Sequence, residues 1–309
     1  MAAARVLGLL PAMWLVAVAA DSDYSKRVNL FIKGYGIARV WGGQFAAELS
    51  VLAGRGVQGT SLQEDVAHRL LPAPPQVAPF PLEPLTSAIK QVLADELGHV
   101  VTVPGRDEYW RRRYLIKANG SFSAAAYAHP WVVKPVTHPG VRPRKHDWLE
   151  AQAVFEWDCP AKVYATHSCK LEHGKTRHLY ACDAVSWIQF DRVLGAVERE
   201  WRGRHVLLSP GDRGLREWAT LLSDPGVEYV AIDADDFNSQ HSVAAMQAVF
   251  SVLQEYVSVD ISWLIESWAH MYLTHYPQHG QTSILASGQP SGHSATTFDN
   301  SVLNAAYTR

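Results

Sequence analysis

The last stretch of the chain, residues 217–309, holds ten aspartates and glutamates and one basic residue, Arg309. Residues 106–216 hold 19 of the 28 lysines and arginines against 12 acids, and residues 1–105 carry eight of each. Net charges of zero, +7 and −9 therefore succeed one another, although the total over 309 residues is only −2. A basic segment followed by an acidic one suits an enzyme that holds a polyanion and uses metal ions: cations for phosphates, carboxylates for the ions. Ordinary surface charge gives the same totals with no function attached. A chain that is 48% hydrophobic and 19% charged can bury a core, as one large domain or two ordinary ones. Its three cysteines are too few for a disulfide framework, which excludes a small stapled secreted module.

Arg5, the apolar stretch from Val6 to Ala20 and the small residues Ala17 to Ala20 before Asp21 are similar to a signal peptide. The stretch falls short of the roughly 20 residues that span a bilayer. The preferred expectation is a buried N-terminal helix with a polar exit from Asp21 to Arg27, and no meaning for the sequon Asn119-Gly120-Ser121. Leu30, Ile37, Val40, Phe45, Leu49 and Leu52 continue a helical pattern towards residue 70, and six prolines from Pro72 to Pro84 make an extended connector. Leu85 to Leu97 reads as a helix, Arg106 to Lys117 as a basic, aromatic-laced stretch, and Pro130 to Pro143 as a loop. Val163-Tyr164-Ala165 and His178-Leu179-Tyr180 flank a polar, glycine-centred segment, the pattern of a hairpin. Ser186 to Trp201 is helical, and Tyr229 to Ile232 is a short apolar strand that runs into Asp233. One further helix face is Val243, Met246, Phe250, Leu253 and Tyr256; another is Ile261, Leu264, Ile265, Trp268 and Tyr272. Gly288 to Gly292 is a tight loop before a helix from Thr296 to Arg309.

Three constellations could carry chemistry. In Ile232-Asp233-Ala234-Asp235-Asp236-Phe237-Asn238 a strand ends in three acids within four residues. A bound divalent cation would relieve their repulsion and bridge protein to phosphate oxygens, although an acidic strand-to-helix turn is the plainer reading. In Lys170 to Arg177 a glycine-bent loop carries Lys170, Lys175 and Arg177, which could surround a triphosphate, the arginine as a fork and the lysines as point charges. It is not a P-loop, because position 169 is Cys169 where that motif needs glycine. In Gly288 to Asn300 a Ser-Gly loop enters a helix whose first turns place Thr296 and Asn300 four residues apart on one face. Their hydroxyl and amide suit a ribose 2′-OH, though helix-capping residues read the same way.

Taken in this order, the three resemble the viral RNA-dependent RNA polymerases, most closely the totivirus type of double-stranded RNA virus. Asp233 to His241 resembles that group's motif A, residues 288–304 its motif B, and Lys170 to Arg177 its fingers motif F. The resemblance implies an α+β right-hand polymerase with fingers and part of the palm, the thumb and the motif C hairpin being absent. Its regions would be an N-terminal helical region with a proline-rich connector (1–105), a basic fingers region (106–216) and a partial palm with motifs A and B (217–309). It implies that Asp233, and with a lesser role Asp236, are catalytic and bind Mg²⁺ or Mn²⁺. Lys170, Lys175 and Arg177 would face the triphosphate. Asn238 would take the ribose-sensing position of motif A, and Ser291, Gly292, Thr296 and Asn300 the loop and sugar-recognition positions of motif B. Thr137-His138-Pro139-Gly140 is a weaker match to a template-guiding loop. The implied partners are RNA template and product, nucleoside triphosphates and a viral capsid protein, with no membrane, in the virion interior or the host cytoplasm.

One departure from the family's pattern stands out. Motif C, a Gly-Asp-Asp turn that supplies the second metal carboxylate, should follow motif B, and no Gly-Asp-Asp occurs in the chain. The expectation is therefore a polymerase segment that binds RNA, lacks synthesis on its own and tends to aggregate. The alternative is a catalytically inactive RNA-binding product. A zinc protein using Cys159, His167, Cys169, His173 and Cys182 is disfavoured, since no Cys-x2-Cys pair occurs and buried thiols suit the finger strands better. His270, His275 and His279, near the end of a helix, are read as surface histidines.

Overall fold

The structure is a computed structural model. It describes residues 9–21, 23–25, 27–28, 31, 62–71, 80–115, 129–141, 143–172, 175–208, 223, 226, 236–276 and 281–309. These fall into two compact units, one of residues 1–65 with 168–179, the other of 66–167 with 180–309. The pattern read from Leu30 to Leu52, the strand Tyr229 to Ile232 and His279 lie outside the described residues.

In the first unit, helix α1 (Leu9–Ala20) forms where an apolar helix was expected. It is not a buried helix, however. Val18 is fully buried, but Leu10 is 78% exposed and Met13 and Val16 are exposed as well. A helix apolar on every side has no polar face to give to solvent, so covering one stripe leaves the others open. Among the described residues no helix is long and apolar enough to cross a membrane.

The second unit is built on helix α3 (Leu82–Glu96), reached from α2 (Leu62–Leu70). Leu85, Ile89, Val92 and Leu93 recur at helical spacing and are buried. The connector is shorter than its prolines suggested, because Pro84 sits inside the first turn of α3, where a missing N–H costs nothing. Glu96 ends the helix with a buried carboxylate that accepts hydrogen bonds from the backbone N–H groups of Arg204, His205 and Val206 at 2.9, 2.6 and 2.9 Å. Charge-assisted bonds of this kind satisfy a buried carboxylate and hold residues 204–206 against α3.

Helix α4 (Arg106–Arg111) and helix α5 (Lys145–Ala151) come next in the chain. Their aromatic residues Tyr109, Trp110 and Trp148 join Phe155 and Trp157 in one buried cluster. Strands β1 (Val163–Glu172) and β2 (Lys175–Cys182) form the expected hairpin. Helix α6 (Ala184–Glu200) follows at once. Its cap explains the placement: Asp183 Oδ1 accepts from Ser186 N at 2.9 Å while Oδ2 accepts from Tyr164 N at 2.7 Å. One buried side chain therefore starts a helix and pins it to β1.

Helices α7 (Val243–Leu253) and α9 (Thr296–Tyr307) pack on α3. Phe190 of α6, Phe250 of α7, Trp268 and Phe298 of α9 meet ring to ring between them, with centroids 5.3 to 6.0 Å apart. The helix expected to run on to Tyr272 stops early. Helix α8 (Ser262–Ser267) passes through a 3-10 turn at Trp268–His270 into strand β3 (Met271–Tyr276). Thus His270 lies in that turn and His275 in a strand. Strand β3 pairs in parallel with β1, Val163 opposite Met271 through Thr166 opposite Thr274, and antiparallel with β4 (Gln281–Ile284). The sheet order is β2-β1-β3-β4. Met271 and Leu273 are buried on one face, a period of two that the helical spacing of Trp268 and Tyr272 concealed.

Candidate nucleotide-binding site

The loop 285–295 is held on three sides. Towards the 3-10 turn Phe237–Gln240, Gln289 N donates to Asn238 O at 2.7 Å and Gly288 N to His241 O at 2.9 Å. From α2, the buried Arg69 donates from Nη1 to Gln289 O at 3.1 Å and lies 4.9 Å from the centroid of the Tyr180 ring. The carbonyl of Arg69 also accepts from Ala286 N at 2.9 Å. Along β2, Gly292 N donates to Tyr180 O at 3.1 Å, and Ser291 Oγ accepts from Tyr180 N at 3.4 Å. Gly288 has φ +73°, a conformation that favours glycine.

Side chains expected from motif A and motif B meet here. Asn300 Nδ2 donates to Asn238 Oδ1 at 2.8 Å. His241 joins them, its Nε2 3.0 Å from Asn300 Oδ1 and its Nδ1 3.2 Å from the hydroxyl of Tyr307. Thr296 uses its hydroxyl proton within the loop, towards His293 O at 2.7 Å and Pro290 O at 3.3 Å. Asp236, at the head of the 3-10 turn, has φ 45° and is the one non-glycine residue of positive φ among those described. Its carbonyl accepts from Ser239 N and Oγ at 2.9 and 2.8 Å, while its carboxylate does not cap the turn. A left-handed aspartate held by such bonds is a strained position of the kind found at functional sites.

Asp233 lies outside the described residues. Lys170 and Arg177 are exposed on the outer part of the hairpin, in the first unit, where Lys175 begins β2. Of the cysteines, Cys159 and Cys182 are buried and Cys169 is exposed, so the expectation of buried thiols fails at Cys169. Burial raises the Cys159 thiol to about 11 and that of Cys182 well above the ordinary thiol value, which favours the protonated form of both.

Sequence reasoning missed Arg69, His241, Tyr307 and Asp299. Arg69 lies in a helix rich in charged residues, where nothing in the local spacing marks it as buried. Tyr307 did leave a signal, seven residues beyond Asn300 on the same helix face. Asp299 is fully buried, with Oδ2 accepting from Gln289 Nε2 at 3.0 Å, and its burial raises its carboxyl well above the ordinary carboxylate range. Burial lowers His241 to about 4, against the bond to Asn300, and lowers His293, packed on Phe190 and Trp268, to about 3.

These groups give a pH dependence of definite sign. Between pH 6.5 and 4 the unfolded chain takes up protons that folded His241 and His293 refuse, so each removes about 1.4 kcal/mol of stability per pH unit as pH falls. Asp299 acts oppositely. Its folded carboxyl keeps a proton that the unfolded state releases above about pH 3.9, so its contribution grows as pH falls towards that value. Asp299→Asn should therefore make urea-unfolding stability fall more steeply as pH is lowered towards about 3.9. Equal slopes in the two proteins would mean that Asp299 is ionised in the fold.

Comparison with known proteins gives the family. The family described as "Viral RNA-directed RNA-polymerase" matches residues 6–309. The chain is 33% identical over 304 residues to a "Probable RNA-directed RNA polymerase" of Leishmania RNA virus 1 - 1 (isolate Leishmania guyanensis), covering 96% of this chain and 34% of the relative. It is 31% identical over 300 residues to the protein of that name from Helminthosporium victoriae virus-190S, covering 95% and 35%. A third, from Saccharomyces cerevisiae virus L-A, is 26% identical over 279 residues, covering 85% and 18%. The chain thus spans about a third of the length of the first two relatives. With the family match running almost end to end over residues that build one hydrogen-bonded site, the chain belongs to the viral RNA-directed RNA polymerases.

Proposed function

We propose that the chain supplies the nucleotide-binding part of a template-directed RNA polymerase, with residues 106–216 as fingers and 217–309 as palm. The observation that carries this reading is the meeting of Asn238, Asn300 and His241, which sets two side-chain amides edge to edge beside a loop locked on three sides. Amides so held suit the 2′-OH of a ribonucleotide, which both donates and accepts. Ser291 and Gly292 lie in that loop, tied to Tyr180 of β2. Lys170, Lys175 and Arg177 supply cations for a triphosphate and for the RNA backbone.

Asp233 and Asp236 would hold the ions. Hard carboxylate oxygens suit Mg²⁺ or Mn²⁺, and the Asp236 carboxylate is exposed and not committed to the cap of its turn. Two such ions, when bound, would activate the attacking 3′-OH and neutralise the departing pyrophosphate. The protein's own part is to hold triphosphate and sugar in line, which is positioning plus electrostatics. Partners would be template and product RNA, nucleoside triphosphates and a capsid protein, in the virion interior or the host cytoplasm.

The test is template-dependent incorporation of a labelled ribonucleotide by a protein of the relatives' length that carries this segment. Retention of RNA with no incorporation would favour the non-catalytic binder instead. In that assay Arg177→Lys keeps the charge but loses the planar fork, and should weaken apparent nucleotide affinity about fivefold. An unchanged affinity would make the hairpin a solvated basic face.

A further inference from the structure

We infer that His241 and Tyr307 are positioning residues that fix which way the amides of Asn300 and Asn238 point, and so set the preference for ribose over deoxyribose. The inference rests on the polymerase reading above and extends it to two residues outside the sugar-recognition positions.

Donor and acceptor logic carries the argument. Asn300 Oδ1 can only accept, so the proton between it and His241, 3.0 Å away, sits on His241 Nε2. In a neutral imidazole the other nitrogen, Nδ1, is then an acceptor, and the group beside it at 3.2 Å is the hydroxyl of Tyr307, which donates. Asn300 Nδ2 in turn donates to Asn238 Oδ1 at 2.8 Å. The chain of protons runs one way: Tyr307, His241, Asn300, Asn238. Its last member accepts at Oδ1 and is left with Nδ2 to donate, so the site offers a donor to an acceptor such as a 2′-OH oxygen. Turning one amide over alone sets two donors or two acceptors against each other between the asparagines; only turning both over, with His241 changing tautomer as well, restores the pairing.

The surroundings hold the imidazole still. His241 is fully buried, with the Phe237 ring 4.6 Å away edge-on and the Tyr307 ring 5.9 Å away. Tyr307 is itself stacked on Phe80 at 4.5 Å. Backbone bonds add to this, since the His241 carbonyl accepts from Gly288 N. His241 is therefore fastened to the motif B loop by its main chain and to the motif B helix by its side chain.

Two measurements test the relay on the 309-residue chain. The first is the ¹⁵N spectrum of His241 at pH 7, where the expected tautomer carries its proton on Nε2. A proton on Nδ1 would overturn the inference. The second is equilibrium binding of ATP and 2′-deoxyATP with Mg²⁺. His241→Leu should lower the ATP preference about tenfold, the equivalent of about 1.4 kcal/mol and one hydrogen bond. His241→Gln, whose amide nitrogen can replace Nε2, should keep the preference within about threefold of wild type. Equal loss in both variants, or none in either, would refute the positioning role, since a merely structural histidine would change affinity for both nucleotides alike. A wild-type chain that binds neither nucleotide would count against the polymerase reading, and the tautomer would still decide the relay.

Discussion

Gly292→Ala should destabilise the chain by about 2–3 kcal/mol and unseat the loop that carries Ser291. A Cβ on Gly292 would lie 2.6 Å from Tyr180 O, 2.9 Å from Ala181 Cα and 3.1 Å from Ala181 N. All three are backbone atoms of β2, so no side-chain rotation can make room. Either the loop lifts from the strand, losing the bond from Gly292 N to Tyr180 O, or β2 shifts within the sheet. Lifting the loop also pulls on Gln289, whose carbonyl accepts from Arg69 and whose N–H donates to Asn238 O. Stability should therefore fall together with nucleotide affinity. Gly105→Ala is the control, because a Cβ there meets nothing within 4 Å and the backbone φ of −58° suits any residue. Urea unfolding of the two variants checks this. Equal, small losses would mean that the approach of loop to strand is slack.

The second large effect is expected at Asp233. Asp233→Ala should lower template-directed incorporation at least about a thousandfold, the loss of several kcal/mol of charge stabilisation that a metal-binding carboxylate supplies. Three acids within four residues repel unless a cation joins them, and the last of them is held with φ 45°. RNA affinity and its salt dependence should stay within about twofold of wild type, because the proposed function leaves phosphate binding to the basic residues 106–216. Filter binding and primer extension on the same variant, in a protein of the relatives' length, separate the two properties. Substantial residual synthesis would remove Asp233 from the metal site.

Much of the framework was legible in the residues themselves. Helices α3, α6 and α7 follow apolar spacings that any neighbouring core would satisfy, and the β1–β2 hairpin follows from two apolar runs around a glycine. The tight loop 288–292 and the helix after it could also be read, because turn and capping residues act over a few positions. Asn238, Ser291, Gly292, Thr296 and Asn300 are candidates through motif resemblance, and Asn238 and Asn300 lie in hydrogen-bond contact. Strand β3 was not legible, because its pairing partner β1 lies about a hundred residues earlier and the local apolar spacing also fits a helix. Arg69 reaches Gln289 across 220 residues of sequence, and His241 reaches Asn300 across 59. Backbone preference and apolar periodicity are short-range and leave a local trace, so the chain alone determined its elements and motif order. A hydrogen bond across a closed loop leaves no such trace. Only the tertiary structure decided that a buried arginine clamps the loop and that a buried histidine links Asn300 to Tyr307.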